Sequence, residues 1–283
     1  MAPELRWGER TYLMGIINVT PDSFSGDGLA IANRSPDEIV AAALAMGSEM
    51  VAAGAQILDV GAESTRPRQA YGEHPEVDAV TEASLAVPVV RALAAELGDR
   101  SRISIDTSKG DVAAAALEAG ATMINDVWAA RRDPGTADAA AASGANLVLM
   151  HNQDGTGYPA GVFRAVVDWL GEAIQAAERR GVERDRLIVD PGIGFGKTTD
   201  DNLELLHRLA ELKAALGGLP VLVGTSRKRF LGELLGGASP DQRLEGSAAT
   251  AALAVMSGAD MVRVHDVAPI GRTLRVADAV VRR

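Results

Sequence analysis

Residues 102–126 read RISIDTSKGDVAAAALEAGATMIND, and this stretch decides the fold. A short apolar run, ISI, closes on Asp106, and a helix-like segment follows over 109–119. Gly120 ends that segment, and a second apolar run, TMI, closes on Asn125-Asp126. Short apolar runs separated by one helical stretch mark parallel strands joined by helical crossovers. Glycine just past a helix takes the left-handed conformation that turns the chain into the next strand.

The same unit recurs on both sides of this stretch. Apolar runs also close on Asn18 (LMGII), His151 (NLVLM) and Asp190 (LIV). Others stop before Glu63-Ser64-Thr65-Arg66 (ILDVG), Thr225-Ser226-Arg227-Lys228 (VLVG) and His265-Asp266 (MVRV). Helices are expected near 36–53, 77–98, 109–119, 134–143, 162–181, 200–217, 228–236, 241–257 and 267–282. Ser35-Pro36-Asp37-Glu38 supplies an N-cap followed by a first-turn proline. Gly54, Gly120, Gly144, Gly181 and Gly258 supply stops. Eight such units predict an α/β TIM (β/α)8 barrel, a single domain over 1–283, with an extra helix between strands 7 and 8.

Barrels carry their chemistry at the C-terminal ends of the strands, so the polar strand endings are the candidate active-site residues. The long loops after strands 1 and 2, residues 19–35 and 62–76, leave the same face and read as lids.

Composition narrows the partners. The net charge of −10 comes without a basic run, which speaks against nucleic acid and anionic membrane. The absence of cysteine removes disulfides, zinc–thiolate sites and a cysteine nucleophile, and suits a cytoplasmic protein. MAPELRWGER lacks a signal-peptide core, and no stretch approaches membrane-spanning length.

LIVDPGIGFGKT resembles a phosphate loop until its spacing is checked. The position that needs the first glycine is Pro191, which offers no N–H, and Asp190 beside it would repel a phosphate. Asp106, Asn125 and Asp190 instead form one set: two carboxylates and an amide suited to a heterocycle rich in N–H donors. Turn formation and helix capping are the alternative for each. Arg263 inside an apolar strand either reaches the mouth to stack on a planar ligand or pairs with a strand-end aspartate, and both can hold together. Ser64, Thr65, Arg66 and His265 suit a phosphate or diphosphate, with Asn18 offering an oxygen to Mg²⁺. His265-Asp266 read alone is equally a surface turn. Four histidines without ligand spacing argue against protein-held zinc, and GxSxG is absent.

Taken together, MGIINVTPDSFS, DVGAESTRP, ISIDT, INDV, LMH, DPGIGFGKT, VGTSRKRF and RVHDV resemble the dihydropteroate synthase family, in its order from about residue 12 to the C-terminus. The resemblance implies joining (7,8-dihydropterin-6-yl)methyl diphosphate to 4-aminobenzoate in folate biosynthesis, with Mg²⁺, in an enzyme targeted by sulfonamides. It implies a pterin pocket at Asp106, Asn125, Met150, Asp190, Phe195, Gly224, Lys228 and Arg263. The diphosphate group falls on Asn18, Thr65, Arg66, Arg263 and His265, with Asn18 on the metal. The aminobenzoate pocket falls on Phe24, Thr65, Pro67, Ser226 and Lys228. Catalysis is expected of Asp106, Lys228, Arg263, Asn18 and Arg66, and a homodimer through the late helices. A non-catalytic pterin-binding paralogue and a methyltetrahydrofolate-dependent methyltransferase are the alternatives.

Overall fold

The computed structural model describes residues 3–20, 29, 34–63 and 77–282. Eight parallel strands run β1 (Tyr12–Asn18), β2 (Ile57–Gly61), β3 (Arg102–Asp106), β4 (Met123–Asp126), β5 (Asn146–Met150), β6 (Leu187–Asp190), β7 (Leu222–Val223) and β8 (Met261–Val264). Their order is β6-β5-β4-β3-β2-β1-β8-β7, and a parallel bridge between Val189 and Val221 joins β6 to β7. The single bridge brings the barrel nearly to closure, in the (β/α)8 architecture that the sequence predicts.

The helices are α1 (Pro36–Ala52), α2 (Ala79–Leu97), α3 (Gly110–Glu118), α4 (Gly135–Ser143) and α5 (Val162–Arg179), then α6 (Thr199–His207), α7 (Leu209–Ala215), α8 (Arg229–Leu234), α9 (Leu244–Met256) and α10 (Val267–Val281). Ser35 caps α1 in a reciprocal box with Glu38. Each of the five stop glycines has positive φ, from +70° at Gly144 to +111° at Gly120. Helices α8 and α9 both lie between β7 and β8, so the expected elaboration is present as two helices and a short 3-10 turn (Pro240–Gln242). The single helix expected over 200–217 is instead broken at Arg208, whose φ of −99° and ψ of 19° leave the helical region. There the Arg208 guanidinium lies 3.5 Å over the Phe163 ring while it pairs with Glu204 and Glu211.

Strand side chains alternate between the barrel interior and the helical layer, and this alternation positions the site. The lower interior is apolar: Tyr12, Met14, Ile57, Met123, Val148, Ile188, Leu222 and Met261 form one buried cluster, with Leu5 and Trp7 against it. Every strand but β3 contributes; β3 offers Ser104 in register with Met123. Advancing each strand by two residues from this layer brings the same face to the C-terminal mouth. Met123 leads to Asn125, Val148 to Met150, Ile188 to Asp190, Leu222 to Gly224 and Met261 to Arg263.

Candidate active site

Pairing register sets the height of the polar endings. Asn18, Gly61, Asp106 and Asn125 are successive Cα partners across four strands, and Met150 pairs with Asp190 on the other side. Asp106, Asn125, Met150 and Asp190 are all buried, whereas Asn18 is half-buried at the rim.

Arg263 crosses this mouth. Its Nη2 donates to Asp106 Oδ2 at 2.7 Å and its Nε to Asp59 Oδ2 at 2.6 Å. The ion-pair alternative for Arg263 is therefore realised, and one edge of the guanidinium is committed to two carboxylates. Burial pushes the Asp106 carboxyl up to about 8; Arg263 pulls against this, while Asp59, Glu82 and Asp126 push with it. Asp106 Oδ1 is buried and has no partner, an acceptor held ready at the mouth.

For Asp190 the turn alternative is realised. Its Oδ1 accepts from the Gly192 N–H at 2.7 Å, which is turn formation. Burial also raises its pKa, against the pull of Lys228, the Gly192 N–H, Lys197 and Arg263. The following glycines fit no other residue: a Cβ at Gly192 (φ +70°) would lie 1.9 Å from the His151 carbonyl oxygen, and one at Gly194 (φ +84°) 2.8 Å from Lys228 Cδ. Lys228 Nζ donates to the Ile193 carbonyl and sits 4.6 Å over the Phe195 ring. A Cβ at Gly224 would lie 3.7 Å from Lys228 Nζ and 3.8 Å from Arg263 Cβ, so glycine leaves open the space between these two cations.

Lys197 confirms the failure of the phosphate-loop spacing. Its Nζ is turned inward, onto the Phe195 carbonyl oxygen at 2.9 Å and His151 Nδ1 at 3.0 Å. Burial lowers Lys197 to about 7 and His151 to about 3, so the imidazole is a neutral acceptor. On the far rim, Ser226 Oγ meets both the backbone N–H of His265 (3.2 Å) and its Nδ1 (3.1 Å). Asp266 holds Arg227 through two contacts of 2.9 and 2.6 Å, which anchors this corner. Phe24, Ser64, Thr65, Arg66 and Pro67 lie outside the described residues.

Two features escaped the sequence reading. Asp59 sits in the middle of ILDVG, fully buried, and receives Asn125 Nδ2 at 3.0 Å besides Arg263. The cost argument that singles out Arg263 in an apolar strand applies equally to Asp59 and would have found it. The second is Lys109, which joins Glu63 (2.6 Å) and the fully buried Glu82 (2.5 Å) while Glu63 Oε1 accepts from the Val77 N–H at 3.2 Å. Lys109→Met strands both carboxylates, so it is expected to destabilise the fold by about 3 kcal/mol, read as a lower urea midpoint at unchanged slope. Equal midpoints for both proteins would contradict a structural role for the ion pair.

The profile of the pterin binding enzyme family matches residues 14–265. The dihydropteroate synthase of Bacillus subtilis is 42% identical over 279 residues, 99% of this chain and 92% of that protein. Among solved structures, the dihydropteroate synthase of Clostridium difficile in the presence of pteroic acid superposes with a TM-score of 0.88 at 42% identity, covering 99% of this chain and 100% of that one. The Xanthomonas albilineans enzyme with 4-aminobenzoic acid gives 0.86 at 43% identity, covering 96% and 94%.

Proposed function

The chain belongs to the pterin-binding enzymes as a dihydropteroate synthase, and from that premise we propose how its residues divide the work. The reaction breaks the bond between the pterin methylene carbon and diphosphate, forms a bond from that carbon to the nitrogen of 4-aminobenzoate, and releases the amine proton. The match over 99% of the chain to a synthase supports this reading over the methyltransferase and paralogue alternatives.

In this proposal the pterin lies in the mouth, edge-on to Asp106, Asn125 and Asp190, whose acceptors suit its ring N–H groups. Met150 and Phe195 bound the slot, Gly224 leaves room for it, and the exposed face of Arg263 stacks on the ring. The single observation that carries the proposal is the pairing of Arg263 with Asp59 and Asp106 at the C-terminal end of the barrel strands, which brings acidic floor and cation into direct contact. As diphosphate leaves, positive charge grows on the methylene carbon and spreads into the pterin; Asp106 and Asp190 stabilise it electrostatically. The roles proposed at the departing diphosphate are those of Asn18, Thr65, Arg66, Arg263 and His265. Phe24, Thr65, Pro67, Ser226 and Lys228 receive the aminobenzoate, whose neutral amine attacks without a strong base.

Among the described residues, no group of three His, Cys, Asp or Glu could hold a metal. A single amide oxygen at Asn18 fits Mg²⁺ brought in on diphosphate, since this ion keeps waters and phosphate oxygens and needs few protein ligands. When bound it would neutralise leaving-group charge. The direct test is diphosphate release with Mg²⁺, with and without 4-aminobenzoate: release that ignores the amine would overturn the proposed synthase site.

We place the enzyme in the cytoplasm as a homodimer. Among the described residues no helix is long and apolar enough to cross a membrane. Leu253 and Met256 on α9 and Val276 and Val280 on the adjacent α10 are 59–67% exposed, an apolar face suited to a second copy. Sedimentation velocity is expected to show a dimer that Leu253→Asp with Val280→Asp converts to monomer. A wild-type protein that sediments as a monomer would refute the interface.

A further inference from the structure

Asp59 touches neither substrate in the proposal above, yet it orders the two groups that do. It lies two residues below the Asn18–Gly61–Asp106–Asn125 row, in register with Ile16 and Ser104. Its Oδ2 takes both Arg263 Nε and Asn125 Nδ2, at 2.6 and 3.0 Å, and its Oδ1 is buried without a partner.

The chemistry of these contacts is restrictive. The oxygen and nitrogen of an asparagine amide have nearly the same shape, so packing alone leaves its orientation open. A carboxylate beneath it accepts only the N–H end, which commits one Asn125 N–H downward and leaves Oδ1 and the second N–H for other partners. Likewise, Nε on Asp59 and Nη2 on Asp106 are two points on one guanidinium, and two points on different carboxylates limit rotation of its plane. We propose that Asp59 is a positioning residue for pterin recognition, dictating which way round Asn125 presents its amide and how the Arg263 plane lies. The inference rests on the reading of this mouth as the pterin site.

Asp59→Asn tests it, because the side chain keeps its size and loses its charge. The amide so introduced can donate to Asn125 and thereby permit the flipped orientation. Binding of the pterin diphosphate alone, measured by calorimetry, is expected to weaken at least about ten-fold while the KM for 4-aminobenzoate stays within about two-fold. The pH dependence of pterin binding should also move. Burial and the neighbouring Asp59, Glu82 and Asp126 raise Asp106 and Arg263 lowers it, so removing the Asp59 charge shifts the acid limb to lower pH. In NMR with asparagine-selective labelling, the Asn125 side-chain amide proton should move upfield as its charged acceptor is lost.

Pterin affinity that changes less than two-fold would overturn the inference, as would equal losses in both substrates with an unmoved pH limb. Asp59→Ser, with an acceptor but no charge, is carried in parallel so that poor folding of one variant leaves the other to decide. The outcomes separate from failure of the underlying site: wild-type protein that binds no pterin sinks the site, whereas normal wild-type turnover with an indifferent Asp59→Asn sinks the inference alone.

Discussion

Arg263→Met should abolish turnover, lowering kcat/KM by about three orders of magnitude, and should also weaken the fold by about 3–5 kcal/mol. The stability loss follows from what the guanidinium leaves behind. Asp59 and Asp106 are both buried, and both receive Arg263 at 2.6 and 2.7 Å. Without it, Asp59 and the Asp106 carboxyl lose their shared donor in a low-dielectric mouth, and their buried oxygens must stay unsatisfied or the site must open to water. The loss of activity has a different origin: methionine can cover the pterin but brings no positive charge to the departing diphosphate. Arg263→Lys separates the two effects. An ammonium restores charge, so most of the stability should return, but it lacks the planar fork that meets two carboxylates at once and stacks on a ring. Urea midpoints and steady-state diphosphate release measure the pair of effects. A kcat/KM for Arg263→Met within ten-fold of wild type would remove Arg263 from the chemistry.

The barrel was legible because its signals are local and repeated. Strand runs closing on polar residues, Ser35 before Pro36, and glycines at the helix ends each report one step of backbone geometry. The acidic set was legible for the same reason, since Asp106, Asn125 and Asp190 stand at strand ends and inward-facing positions follow from alternation. What stayed hidden depends on pairs distant in sequence. Asp59 looks like one polar residue in a strand until Arg263, 204 positions on, is found beside it. Glu82 reads as an ordinary helix glutamate, and only the meeting of β3's following turn with α2 explains its complete burial against Lys109. The break at Arg208 is hidden likewise, and the guanidinium there meets Phe163 on another helix. Resemblance supplied what residue patterns left open, above all the proposed division of the polar endings between pterin and diphosphate.

Asp106→Asn should cost nearly all activity while making the unliganded protein more stable at neutral and alkaline pH. The opposite signs come from one cause. Burial holds the Asp106 carboxyl up at about 8, against an ordinary value of 3.8. Between those values the folded protein carries a proton that the unfolded chain does not, so stability from this group is fully present below about pH 4 and is lost as pH rises through about 8. An amide has no such proton to lose. The difference in melting temperature between Asp106→Asn and wild type should therefore be small near pH 4 and grow in the variant's favour up to pH 8. Arg263 keeps Asp59 as a partner in the variant, so no cation is stranded. Function moves the other way because the pterin offers N–H donors and the transition state carries positive charge, both of which need a carboxylate. Binding pterin then draws a proton from Asp106, and calorimetry in buffers of different ionisation enthalpy should register its release at pH 7 in wild type and none in Asp106→Asn. Activity within ten-fold of wild type, or a melting-temperature difference that shrinks as pH rises, would show that this carboxyl is neither buried against its charge nor used by the substrate.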